Sequence, residues 1–190
     1  MSNIVGIDYS MNSPAICRLD KDSCVFVYWT TKRKYECDLT HDGFSVKGIL
    51  FDNKDKTDEE RFDYLASEIV RESLWGWPKK VVMEHYSYAS TGRAFQIGEN
   101  GGVLKNRFYT SGVTVEKVAP TSVKKYATGK GNADKQMMQD AFIEATGIDI
   151  KLVLGQTETQ WNPSSDIIDA YWIAKYAEEN YGQDNNQEDE

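Results

Sequence analysis

Residues 162–176 read as one helix, and it carries two carboxylates, Asp166 and Asp169, among Ile167, Ile168, Ala170, Tyr171, Trp172, Ile173 and Ala174. A helix this apolar packs against other elements on most of its circumference. The spacing of three puts both acids on one face. Acids inside a protein are costly unless something meets their charge. The usual reading of Asp-x-x-Asp, a solvated helix face, therefore fits poorly. A bound cation would offset the cost.

Two more acids stand where a site would use them. Ile4-Val5-Gly6-Ile7 is an apolar strand run that ends at Asp8, and Val81-Val82-Met83 is another that ends at Glu84. Each alone could be a turn residue or a helix cap. An acid directly after a buried strand sits at its carboxyl end, where open α/β sheets build their sites. Four carboxylates converging there would repel one another unless cations lay between them. Hard oxygen donors select Mg2+ or Mn2+. Two such ions ~3.5–4 Å apart can activate a water and stabilise the leaving oxygen of a phosphodiester.

The rest of the pattern places these acids in an α/β fold. Strand signals fall at 15–17, 24–29 and 113–118, with a further candidate at 46–51 in the charged stretch 30–58. Helical periodicity covers 59–75, with Phe62, Leu65, Ile69 and Leu74 near one stripe, and Trp75-Gly76-Trp77-Pro78 stops it. Helices are also expected over 93–109, 120–126 and 133–146. No repeat and no Pro/Gly-rich linker divides the 190 residues. The expectation is one domain over 1–177 and a disordered acidic tail over 178–190.

The formal net charge of −8 argues at first against a nucleic-acid partner. The average hides a distribution. Six of the 30 acids fall between Glu178 and Glu190 without a single Lys or Arg, and four more are the acids above. Lys117, Lys124, Lys125, Lys130 and Lys135 lie within nineteen residues that hold one acid, Asp134. Gly129-Lys130-Gly131 enters the helix at 133–146. Lysines beside the exposed amides of a helix N-terminus make a phosphate site. Taken alone, a solvated loop with ordinary surface lysines explains the segment as well. It matches neither a Walker A loop nor a dinucleotide fingerprint.

Three cysteines, Cys17, Cys24 and Cys37, match no zinc spacing with His41, and read as reduced thiols in strands. No apolar run reaches the ~18 residues that span a bilayer, and Met1 to Asp8 shows no signal-peptide pattern. A cytoplasmic protein with no membrane partner is expected, in a bacterium, or in a host cell if phage-encoded.

Taken together, these residues resemble the RuvC family of Holliday junction resolvases, of the RNase H-like, retroviral-integrase superfamily. The matching segments are Ile4-Val5-Gly6-Ile7-Asp8-Tyr9-Ser10, Val81-Val82-Met83-Glu84-His85-Tyr86, the glycine-bearing stretch 98–104, Ala119-Pro120 through Lys135, and Ser165-Asp166-Ile167-Ile168-Asp169-Ala170. They occur in the family's order and span nearly the whole chain. The resemblance implies a central five-stranded mixed sheet flanked by helices. It implies a homodimer that cuts four-way DNA junctions by paired symmetric nicks with Mg2+, two ions per site, Mn2+ substituting. Asp8, Glu84, Asp166 and Asp169 match the catalytic tetrad. Lys124 and Lys135 match the family's DNA-binding lysines, and Lys130 is a further phosphate candidate. Asp8, the most central carboxylate, is expected to bridge both ions. His85 would point to the other face of an extended strand and reads as structural.

The chain also departs from the family. An aromatic wedge often stands three residues after the strand glutamate; Ser87 holds that position here, with Tyr86 and Tyr88 on either side as candidates to stack on a base. The stretch 30–58 is long for a hairpin, and the acidic tail has no counterpart. A bacteriophage or divergent member would show such departures. Rival readings are an RNase H-like or debranching nuclease with another nucleic-acid substrate, a non-catalytic junction-binding protein of the same fold, and an actin-like ATPase. The last needs two such domains, and 190 residues offer one.

Overall fold

The computed structural model describes residues 3–21, 23–41, 43–85 and 94–181. Seven strands form one mixed sheet: β1 (Ile4–Asp8), β2 (Ala15–Asp20), β3 (Ser23–Thr30), β4 (Cys37–His41), β5 (Phe44–Leu50), β6 (Lys80–Glu84) and β7 (Val115–Val118). Their spatial order is β4-β5-β3-β2-β1-β6-β7. β1, β2 and β3 are antiparallel neighbours, whereas β6 and β7 add in parallel on the other side of β1.

Among the described residues six helices cover the sheet: α1 (Asp58–Ser73), α2 (Ala94–Thr110), α3 (Pro120–Thr128), α4 (Lys135–Thr146), α5 (Ile150–Val153) and α6 (Ser164–Tyr181). Strand alternation divides the core between them. On one face Val5, Ile7, Val27, Trp29, Val81 and Met83 pack with Leu65 and Ile69 of α1 and Leu104 and Phe108 of α2. On the other Ile4, Cys17, Phe26, Tyr28 and Val82 pack with Phe142 of α4 and with Ile167, Tyr171 and Ala174 of α6. Local signals set the helix ends. Thr57 and Glu60 form a capping box before α1, and left-handed Gly129 and Gly147 end α3 and α4.

Two expectations need correcting. The sheet has seven strands among the described residues, not five. The addition comes from the stretch 30–58, where a 3-10 turn, Arg33–Tyr35, leads into the β4–β5 hairpin, and β5 pairs in parallel with the edge of β3. β4 carries Asp38, Thr40 and His41 and is mostly exposed, so an edge strand had no hydrophobic alternation to betray it. The domain boundary also moves. α6 runs on through Tyr181, past the expected start of the tail at Glu178. Lys175 holds Glu178 at 2.6 Å, and the Tyr176 and Tyr181 rings meet edge to face. Residues 182–190 lie outside the described residues, so the disorder expected for the tail is untested.

Candidate metal centre and nucleic-acid interface

Alternation along β1 puts Ile4, Gly6 and Asp8 on the face that α6 covers. The parallel register Gly6↔Val82 and Ile7↔Met83 continues by one residue to set Asp8 alongside Glu84. Val82 faces α6, so Glu84, two residues on, faces it as well. α6 lies against β1 because residue 6 is glycine: a Cβ there would stand 2.3 Å from the Ala170 carbonyl oxygen and 2.4 Å from the Ala174 nitrogen. That close approach brings Asp166 and Asp169, one turn apart, over the end of β1.

Burial and crowding raise the four acids together. Burial, then Asp166, Asp169 and Glu84, hold the Asp8 carboxyl well above the usual carboxylate range. Burial pushes Asp169 up to about 7, with Glu84 and Asp166 adding to the rise. Burial likewise raises Asp166 to about 6, against the opposing pull of hydrogen bonds from Ser13 and Asn162. Glu84 is raised by burial too. The contact between the Asp8 and Asp166 carboxyls raises the first and lowers the second.

Neutral donors orient Asp166. The Ser13 hydroxyl donates to its Oδ2 at 2.7 Å, and the Asn162 amide donates to the same oxygen at 2.6 Å and to Ser13 Oγ at 3.1 Å. Asn162 precedes a cis peptide to Pro163. Tyr9, beside Asp8, donates to the Oδ1 of buried Asn100 at 2.8 Å and so ties the end of β1 to α2.

Two lysines flank the acids. Lys124 of α3 lowers the pKa of both Glu84 and Asp169, and Lys135, the first residue of α4, does so for both helix aspartates. Lys135 Nζ reaches Ser165 Oγ at 3.4 Å. The structure therefore gathers Asp8, Glu84, Asp166, Asp169, Lys124 and Lys135. Lys130 is exposed on the turn after Gly129. Tyr86 and Tyr88 lie outside the described residues. Sequence reading missed Ser13 and Asn162. Asn162 stands one helical turn before Asp166, which is the one signal that could have found it; Ser13 carries none.

The residues fit a divalent cation by donor chemistry. Four hard oxygen donors from three elements converge, and their mutual repulsion is what such a cation relieves. Among the described residues no three Asp, Glu, His or Cys side chains close into a ready-made cage. Asp166 instead takes its hydrogen bonds from Ser13 and Asn162. No helix among the described residues is long and apolar enough to cross a membrane.

No family profile matches the sequence. Over 114 residues the chain is 31% identical to the crossover junction endodeoxyribonuclease RuvC of Chlamydia muridarum, an alignment that spans 60% of each protein. The fold is similar to that of Thermus thermophilus RuvC in complex with a Holliday junction substrate, at 19% identity and a TM-score of 0.55, over 92% of this chain and 91% of that one. It is also similar to the yeast mitochondrial Holliday junction resolvase Ydc2, at 14% identity and a TM-score of 0.57, over 91% of this chain and 76% of that one. The chain is RuvC-like in sequence over that segment and in fold over nearly its whole length.

Proposed function

We propose that this chain is a metal-dependent endodeoxyribonuclease that resolves four-way DNA junctions by paired symmetric nicks. The observation that carries the reading is the convergence of Asp8, Glu84, Asp166 and Asp169 beside Lys124 and Lys135. The likeness to RuvC and to resolvase structures with and without junction DNA supports the substrate.

In this reading the four carboxylates hold two Mg2+ ions, or Mn2+ in their place. Bound there, the ions lower the pKa of a water and offset charge on the leaving oxygen. Asp8 lies between Glu84 on one side and the α6 aspartates on the other, and together these carboxylates would hold the metal. Ser13 and Asn162 fix the direction of Asp166, and Gly6 fixes the distance of α6 from the strand ends. Lys124 and Lys135 attract the phosphodiester toward a centre that is otherwise negative. In this reading no side chain is needed to take the proton from the water.

One chain supplies one centre, and a junction needs two symmetric cuts, so the working unit is a homodimer. Phe95 and Tyr109 of α2, 89% and 80% exposed and about four turns apart on one helix face, support a partner on that side. A DNA substrate fits work in a bacterial cytoplasm, or in that of a host cell if the chain is phage-encoded.

The test is cleavage by the full chain in Mg2+ of a synthetic four-way junction, a flap and an RNA–DNA hybrid. Paired symmetric nicks confined to the four-way junction are expected. Preference for the flap or the hybrid would replace the substrate and keep the centre. ATP turnover without cleavage would overturn the reading.

A further inference from the structure

We infer that a cavity beside the acids, walled by the β1–β2 turn, the 3-10 turn after β3 and the cis-proline loop, binds a backbone phosphate of the DNA strand flanking the cut, with Lys32 as its charge. The inference rests on the nuclease reading and adds a contact that the tetrad and the two flanking lysines do not supply.

The cavity measures about 440 Å³. Asn12, Ser13, Thr31, Lys32, Tyr35 and Asn162 are among its walls, and none of its lining residues is acidic. Ser13 and Asn162 belong to both places, since each donates to Asp166 Oδ2. The cavity therefore opens directly beside the metal centre. It lies on the β3 side of Asp8, whereas Lys124 lies on the side of Glu84. β3 is two strands from β1, about 10 Å across the sheet. A strand drawn over the acids from Lys124 would next cross this cavity.

Its basic wall is held in place. Lys32-Arg33-Lys34 are all exposed, and among the described residues none of the three forms an ion pair. The turn that carries them is anchored by Tyr35, which is buried. The Tyr35 hydroxyl donates to Gln160 Oε1 at 3.2 Å, and its backbone carbonyl accepts a hydrogen bond from Tyr28 Oη. Gly48 leaves room for that carbonyl, because a Cβ there would stand 2.3 Å from it. Lys32 on an anchored turn, with hydroxyls and amides opposite it across the cavity, matches a phosphodiester oxygen.

The experiment measures junction affinity across a salt series for the full chain and for Lys32→Gln and Lys32→Arg. Lys32→Gln is expected to weaken binding by about 3- to 10-fold and to flatten the salt slope by about one, with Lys32→Arg restoring both. A neutral methylphosphonate is then placed at each phosphate around the cut in turn. At one flanking position it is expected to weaken the unmodified protein and leave Lys32→Gln unchanged. Equal losses in both proteins at every position, or an unaltered affinity and slope for Lys32→Gln, would overturn the inference while leaving the nuclease reading intact. Failure of the unmodified protein to bind or nick the junction would remove both, and that failure is visible before any variant is made.

Discussion

Gly6 of β1 and Ala170 of α6 are in direct backbone contact: a Cβ on Gly6 would meet the Ala170 carbonyl oxygen at 2.3 Å. Nothing at that distance can yield without moving the helix. Gly6→Ala is therefore expected to push α6 away from β1 and cost about 1–3 kcal/mol or more. The same shift separates Asp166 and Asp169 from Asp8. Urea unfolding checks the first effect, and cleavage under conditions where the variant is fully folded checks the second. A variant as stable and as active as the parent would show that α6 does not depend on this contact.

Asp8→Asn separates catalysis from repulsion. Asp8 is raised by three neighbouring acids as well as by burial, so an uncharged residue there relieves strain in the metal-free protein. Junction binding is expected to persist, cleavage to fall by about 100-fold or more, and the metal-free melting temperature at pH 8 to rise. Binding, nicking and calorimetry on one preparation test all three. Nicking at the parental rate would remove Asp8 from the centre.

Lys124 and Lys135 act on the acids from the helix side. Lys124→Ala or Lys135→Ala is expected to weaken junction binding and to reduce its salt slope by about one each. Lys130→Ala, on the exposed turn, is expected to do less. A salt series read by fluorescence anisotropy distinguishes the three. Equal losses from all would mean that the lysines form a diffuse field with no ordered role beside the acids.

The clustering of the four acids was legible because each interrupts an apolar run: Asp8 after Ile7, Glu84 after Met83, and the two aspartates inside α6. Burial of the run fixes the position of the acid, so the pattern pointed to where these four carboxylates come together. The β4–β5 hairpin was only half legible. Val46 faces the core, but β4 lies at an open edge where either side of the strand meets solvent, and period-2 patterning vanishes. The orienting hydrogen bonds were not legible at all. Ser13 reaches Asp166 across 153 residues of sequence, and a turn serine looks the same whether or not it has such a partner.

Ser13 and Asn162 both spend their donors on one oxygen of Asp166. Removing either frees the carboxylate to rotate, and loss of a group that orients a metal ligand typically costs about 10- to 100-fold in metal affinity or activity. Asn162→Ala is expected to raise the Mg2+ concentration needed for half-maximal cleavage by more than it weakens junction affinity through the cavity that Asn162 also lines. Metal titrations of the nicking rate provide the measurement. A drop in junction affinity with an unaltered metal requirement would assign Asn162 to DNA contact instead.

The raised acids also set how the metal-free protein responds to pH. In the unfolded chain these aspartates titrate near 3.9. In the folded chain Asp166 lies at about 6, Asp169 at about 7, and Asp8 well above its usual value. Folding thus favours their protonated forms. Their contribution is fully present below about pH 4 and is lost as pH rises through the folded values. Metal-free protein is expected to lose stability between about pH 4 and pH 7, on the order of a few kcal/mol from these groups together. Mg2+ competes with the protons, so its stabilising effect is expected to be larger at pH 8 than at pH 5. Thermal unfolding across pH, with chelator and with excess Mg2+, tests both. The Asp8→Asn variant is the control, since its metal-free stability should fall less steeply over the same range. A metal-free stability that stays level or rises from pH 4 to pH 7, with the same profile in Asp8→Asn, would show that the four carboxylates do not crowd one another as the geometry requires.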